Sequence, residues 1–231
     1  MKKLLAIILT VLMTLSAGAL AEGAITVSGG GQVNLAADMA YVTLGISISD
    51  SDVSTVMQQA NTSIDSICAA LVESGLPKDC ISTDYLYISP QYDYSGDNSN
   101  EIIGYNVNSG LKLTIDDVGA VGSYIDVAFA AGANSFDSIT FAVKDNSEAR
   151  DEALRLAVAD AEKKANVLAE AAGMKLGDIV SIEENNSDSY YNTEGFAAKD
   201  IADAGAGTSV YPSKVNVSVQ VQVCYALEDK N

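Results

Sequence analysis

The sequence predicts an α+β fold. An antiparallel sheet carries two long helices on one face, built from two β-α-β-β-like units plus an N-terminal strand and a short extra helix. Three observations lead there. In "KVNVSVQVQVCYAL", Val215, Val217, Val219, Val221, Val223, Tyr225 and Leu227 alternate with a polar set that includes Cys224, the period-2 pattern of a strand with one buried face. Two long stretches carry apolar residues at spacings of three and four, the pattern of amphipathic helices. Several half-polar strands favour antiparallel pairing over a doubly wound parallel sheet.

Residues 1–21 stand outside that fold. Lys2 and Lys3 precede the apolar run "LLAIILTVLMTL", and Ala19–Ala21 reads A-x-A. This is the pattern of a secretory signal peptide cut before Glu22. The run falls short of the roughly 20 residues that span a bilayer. Residues 22–231 then read as a single domain, with no transmembrane segment after cleavage.

"VSGGGQV" (27–33) raises the question of a phosphate loop. No Lys follows the glycines, and the next residues read as more strand, so both the P-loop and the dinucleotide fingerprint fail. The glycines belong to a first strand. Gly29 and Gly31 share a face with Val27 and Val33 and leave room for a closely packed neighbour. A second strand follows, with Ala40, Val42, Leu44, Ile46 and Ile48 alternating against Tyr41, Thr43, Gly45 and Ser47.

The first helix is expected over about 52–74, with Asp52 as N-cap, Gly75 just past its end, and Val53, Met57, Ala60, Ile64, Ile67 and Leu71 as its buried stripe. A hairpin follows, its tip at "DYSGDNSNE" (93–101). A shorter helix is expected over 117–131, stopping at Gly132, and then a strand with Ile139, Phe141 and Val143. The second long helix covers about 146–172, opened by Asp145 and Glu148 as a capping box. Its stripe is Leu154, Ala157, Ala161, Ala165, Leu168 and Ala172, and Asp151/Arg155 and Asp160/Lys164 form i,i+4 pairs. "ISISDSD"–helix–"SGLPKDCIST" and "FAVKDNS"–helix–"AGMKLGDIVS" share one pattern, and two such units would share one sheet. Residues 185–213 are polar, rich in small residues and without periodicity, and are expected to be a mobile loop, with insertion into a partner surface as the alternative.

Composition narrows the chemistry. The chain has no His, so no Ser-His-Asp relay or His-containing zinc site can be built. Without Lys2 and Lys3, 11 basic residues face 31 acidic ones, a net charge of −20 that disfavours nucleic acid. Cys68, Cys80 and Cys224 are an odd set. In an exported chain that means a free thiol or an intermolecular bridge, and a Cys68–Cys80 bridge is conceivable. Asp93, Ser95, Asp97, Ser99 and Glu101 do not match an EF-hand, which would want Gly at 98 and Glu at 104. Tyr85, Tyr87, Tyr92, Tyr94 and Tyr105 gather around one hairpin, as a ligand platform or as cross-strand packing. No catalytic, metal or cofactor residues are assigned.

Four segments in order resemble the SIMPL-domain family. "ITVSGGGQVNLAADMAYVTLGIS" is similar to its V-x-G-x-G signature followed by P-D-x-A, although Ala37 stands where that Pro would be. "STDYLYISPQYDYS" resembles its T-x-x-y-x-i-x-P-x-Y hairpin. "IIGYNVNSGLKLTIDDVGAVGSYIDVAFAAGANSFDSITF" resembles its G-Y-x-v, helix, A-G-A-N and F sequence. "EARDEALRLAVADAEKKANVLAEAAGMKLGDIVSIEE" resembles its long alanine-rich helix. The match runs from Ile25 to Leu227. The resemblance implies an exported bacterial envelope protein with no established catalytic residue, with links to oxidative-stress tolerance, surface antigenicity and ring-like self-association.

The expectation is therefore an exported protein, periplasmic, cell-surface or extracellular. It is non-enzymatic and acts by self-assembly or by binding an envelope protein. The alternative is a small-ligand or cation-binding module using the Tyr-rich hairpin and the acidic loops. An enzyme relying on carboxylates or Cys224 is a third reading.

Overall fold

The computed structural model describes residues 23–93, 101–185 and 207–230. The signal segment 1–21, hairpin-tip residues 94–100 (with Tyr94, Ser95, Asp97 and Ser99) and most of the expected loop, 186–206, lie outside the described residues. The described parts form two compact units. One comes from the described residues of 34–146 and 207–216, the other from those of 23–33, 147–185 and 217–230.

The first unit holds β2 (Met39–Asp50), α1 (Val53–Glu73), β3 (Ile81–Asp93), β4 (Glu101–Ile115), α2 (Val121–Ala130) and β5 (Ser135–Ala142). Its sheet runs β3-β4-β2-β5 with every neighbour antiparallel. The alternation read from the sequence sets the register: Val42 faces Leu113, and Leu44 faces Leu111. That face is buried under Val56, Ala60, Ile67 and Leu71 of α1 and Val121, Ile125 and Ala128 of α2. Asp52 caps α1, accepting from the Thr55 N–H at 2.8 Å. Gly75, at φ +105°, ends it, and the Leu76 N–H returns to the Leu71 carbonyl.

The second unit holds β1 (Ala24–Ala36), α3 (Ser147–Ala171), β6 (Met174–Asn185) and β7 (Lys214–Asp229), with strand order β1-β7-β6. Val219, Val221, Val223 and Tyr225 of β7 pack with Val27 against Ala153, Ala157, Ala161 and Ala165. The room left by the glycines is filled by α3. A Cβ on Gly29 would stand 2.0 Å from the Ala157 carbonyl oxygen, and one on Gly31 1.8 Å from that of Ala153. Helix backbone rests directly on strand backbone there, which only glycine permits.

The α+β class and the antiparallel pairing agree with the sequence reading, and several details differ. The strands divide between two sheets instead of sharing one. β5, expected to open the second repeat, pairs with β2, and β1 takes the vacant place beside β7. Both long helices thus lie in units with a three-strand run in matching order, β3-β4-β2 and β6-β7-β1. The buried stripe of α3 is alanine throughout: Ala149, Ala153, Ala157, Ala161, Ala165 and Ala169. Leu168 is 49% exposed, one position off the stripe that Ala165 and Ala169 turn to the sheet. In α1, Val56 takes the buried position expected of Val53. Arg155 pairs with Glu152, not Asp151. The short helix begins with a 3-10 turn at Val118–Ala120 and becomes α-helical only from Val121. Cys68, Cys80 and Cys224 are all free thiols, so Cys68 and Cys80 are not bridged.

Candidate functional site

Three kinds of surface feature have chemistry that the core does not use: a tyrosine platform, the edge strands β3 and β6 with exposed apolar side chains, and the capped edge of β1; among the described residues β5 is the fourth edge strand.

The platform lies on the face of the β3-β4-β2-β5 sheet opposite α1. Tyr85 pairs with Gly110, and Gly110 with Gly45. A Cβ on Gly110 would meet the Tyr85 ring at 2.4 Å, so the ring lies flat across the strand where a side chain is missing. Its hydroxyl reaches β5 and donates to Asp137 Oδ2 at 2.6 Å. Burial, then the bond to Asp137, pushes the Tyr85 phenol up to about 12. Tyr87 stacks on Tyr85 with ring centroids 5.4 Å apart and remains 66% exposed. Polar side chains on the same face are tied to one another. Asn106 donates to Ser49 Oγ at 2.9 Å, Asn108 to Asn106, and Gln91 to Ser49 at 3.2 Å. The Lys112 ammonium sits 4.6 Å over the Tyr41 ring.

The tyrosines read from the sequence therefore separate. Tyr85 and Tyr87 come together, Tyr92 pairs with Ile102, and Tyr105 turns toward the core. Asp93 faces Glu101 across the base of the hairpin. Among the described residues no group of three or more His, Cys, Asp or Glu is placed to hold a metal ion. Burial, and next the charges of neighbouring Asp65 and Asp79, raises the Cys68 and Cys80 thiols respectively. Both are therefore poor nucleophiles at neutral pH. Cys224 is half-buried on the polar face of β7.

β3 and β6 are edge strands. α1 packs on β2 and β4, and Leu86 and Ile88 of β3 lie beyond its cover, 49% and 45% exposed. β6 exposes Ile179, Val180 and Ile182. Native sheets usually blunt such edges with charge, Pro or bulges. β1, also an edge, is closed differently. Asp160 of α3 accepts from the Gly30 N–H at 2.9 Å, and Lys164 donates to the Ser28 carbonyl at 3.0 Å and to Asp160 at 2.6 Å.

Sequence reasoning found Tyr85 and Tyr87 but not their partner Asp137, which is 52 residues away from Tyr85. It read Asp160/Lys164 as a helix-surface pair and missed the strand it caps. Gly45, a place without a side chain on the polar face of an alternating run, was the available signal for the platform.

An α+β protein with helix-backed antiparallel sheets and open strand edges is the class these features define. The chain belongs to the SIMPL family, described as a protein of unknown function (DUF541), whose model matches residues 25–225. It is similar to "Uncharacterized protein YggE" of Edwardsiella ictaluri, 25% identical over 206 residues that cover 88% of this chain and 86% of that one. YggE of Escherichia coli K12 is 26% identical over 205 residues, 88% of this chain and 83% of that protein. The "26 kDa periplasmic immunogenic protein" of Brucella melitensis is 29% identical over 164 residues, 69% of this chain and 66% of that one. Among the described residues no helix is long and apolar enough to cross a membrane.

Proposed function

We propose that this chain is an exported envelope protein that works without catalysis, by self-assembly through its strand edges. The observation that carries the reading is the contrast between edges: among the described residues β3 and β6 are edge strands with exposed apolar side chains, whereas β1 is closed by a dedicated ion pair. A second copy is the occupant that fits, because it brings both an open edge and an apolar strip. Pairing β3 of one copy with β6 of the next is a head-to-tail contact, which closes into a ring or runs on as a filament.

Magnitudes say what such a contact needs. Backbone hydrogen bonds contribute roughly 0.5–1.5 kcal/mol net each, and association costs on the order of 4–15 kcal/mol. A short strand pairing alone sits near balance. Burial of Leu86, Ile88, Ile179 and Ile182, on the order of 1 kcal/mol for each half-exposed side chain, tips it. Native mass spectrometry of residues 22–231 tests the reading. Oligomers are expected, and Leu86→Lys with Ile88→Lys should reduce them to monomer. A wild-type chain that stays monomeric at every concentration overturns it.

Export is supported by the signal-like residues 1–21 and by the periplasmic relative. Sequencing the secreted chain should find Glu22 first. A part in envelope or oxidative stress rests on the family resemblance, and a deletion strain as peroxide-tolerant as its parent would remove it. The exposed stacking face of Tyr87 favours a second reading, a small-ligand module at the hairpin. Loss of saccharide or Ca²⁺ binding in Tyr87→Ala would support that reading.

A further inference from the structure

The Tyr225 hydroxyl is an unexplained group. Tyr225 is 3% exposed, and its Oη is buried with no hydrogen-bond partner among the described residues. An orphaned buried hydroxyl costs about 1–3 kcal/mol. Its valine neighbours on β7 would have filled the same face without that cost.

Tyr225 borders an open cleft of about 680 Å³ between α3 and β6. The cleft exists because β6 bulges there. Its register against β7 shifts on both sides of Ile179, which itself pairs with Tyr225, and the shift carries Asp178 to the rim. Val158, Leu176 and Ile179 supply apolar wall, and Glu162 of α3 supplies a second carboxylate. No basic side chain lines the cleft. Burial, and next the Glu162 charge, holds the Tyr225 phenol above its ordinary value, so it stays a neutral hydroxyl at neutral pH.

We propose that this cleft is a binding site for a small organic ammonium ion with an apolar stem. Two carboxylates and no cation among the lining residues exclude an anion and select a cation. Two carboxylates are few for a hard divalent ion, which takes six or more oxygen ligands, several of them carboxylates when the protein supplies the cage. A primary ammonium has three N–H donors. The lining holds three acceptor groups to match: the Glu162 and Asp178 carboxylates and the Tyr225 hydroxyl. The alkyl stem lies on Val158, Leu176 and Ile179. The volume suits a molecule of this size. The cleft shares Ile179 with the β6 edge, so binding is measured also in Leu86→Lys with Ile88→Lys, which alters assembly and leaves every cleft residue in place.

Titration of the mature chain with hexylamine tests it, with hexanol and hexanoate as probes of the stem and of the charge, read by calorimetry and by the NMR signals of Tyr225. Hexylamine should bind in preference to both controls and shift the Tyr225 resonances. Tyr225→Phe, which keeps the ring and the packing, should weaken binding about tenfold, and Glu162→Gln should weaken it further as salt-dependent attraction is lost. Equal binding of all three probes would overturn the proposal. So would unchanged hexylamine affinity in a folded Tyr225→Phe, or no binding at millimolar hexylamine, which would leave the hydroxyl satisfied by water alone.

Discussion

Asp160 accepts the backbone N–H of Gly30 at 2.9 Å, and through this bond a helix side chain takes the place of a neighbouring strand. Lys164 completes the substitution by donating to the Ser28 carbonyl. Ser28 and Gly30 lie two residues apart, so their outward N–H and C=O groups share one edge of β1. A carboxylate and an ammonium present the acceptor and donor that an incoming strand would offer. The reach is short enough because Gly29 and Gly31 bring α3 onto the strand.

Removing that pair should open the edge. In Asp160→Ala with Lys164→Ala the Gly30 amide is expected to exchange at least about tenfold faster by hydrogen–deuterium NMR. Native mass spectrometry should show species larger than those of the wild type as β1 becomes available for pairing. Unchanged exchange at Gly30 would mean that another group protects it.

The same pair has a pH signature. The Lys164 hydrogen bond, then the Gly30 N–H, lowers the Asp160 carboxyl below its ordinary value of 3.8. A depressed acid contributes stability that is present above 3.8 and lost as the pH falls through its folded value. Gly30 protection should therefore be flat from pH 8 to 5 and disappear only below the usual carboxylate range. Loss between pH 7 and 5 would assign the protection to some other group.

The glycines of β1 make a sharper mutational contrast. Gly29→Ala places a methyl 2.0 Å from the Ala157 carbonyl, and Gly31→Ala one 1.8 Å from that of Ala153. Neither backbone can yield without lifting α3 off the sheet. Overpacking of this kind costs typically 1–3 kcal/mol and more where backbone must move. Gly30→Ala meets nothing within 4 Å and should be neutral or slightly stabilising. Urea unfolding of the three variants measures the difference. Equal midpoints for Gly29→Ala and Gly30→Ala would contradict the close helix–strand contact.

These glycines show where the sequence was readable. Alternation placed Gly29 and Gly31 on the packed face, and helix periodicity placed an alanine-bearing stripe on α3, because both signals are local and periodic. Leu168 differs because spacings of three and four fit either Leu168 or Ala169 after Ala165, and only packing on the sheet decides between them. The division into two sheets was hidden for a related reason. Period-2 patterns say that β1 and β5 are strands, but not which neighbour each pairs with. Asp137 and the orphaned Tyr225 hydroxyl were invisible because a contact across several strands, or the lack of one, leaves no period in the chain.

Tyr85 allows a direct spectroscopic test of the platform. Its phenol is pushed up to about 12, first by burial and then by its bond to Asp137. A raised phenol contributes stability that is fully present below the ordinary value near 10 and lost as the pH climbs toward about 12. In an alkaline NMR titration with labelled tyrosine, Tyr85 should ionise well above the ordinary value of 10, toward about 12. Asp137→Asn should bring its titration part of the way down, because burial over Gly110 remains. Tyr85→Phe should cost about 1 kcal/mol through the lost hydrogen bond, and Tyr85→Ala distinctly more, because it also uncovers the Gly110 backbone. If Tyr85 ionises at the ordinary value of 10, the ring does not lie against Gly110.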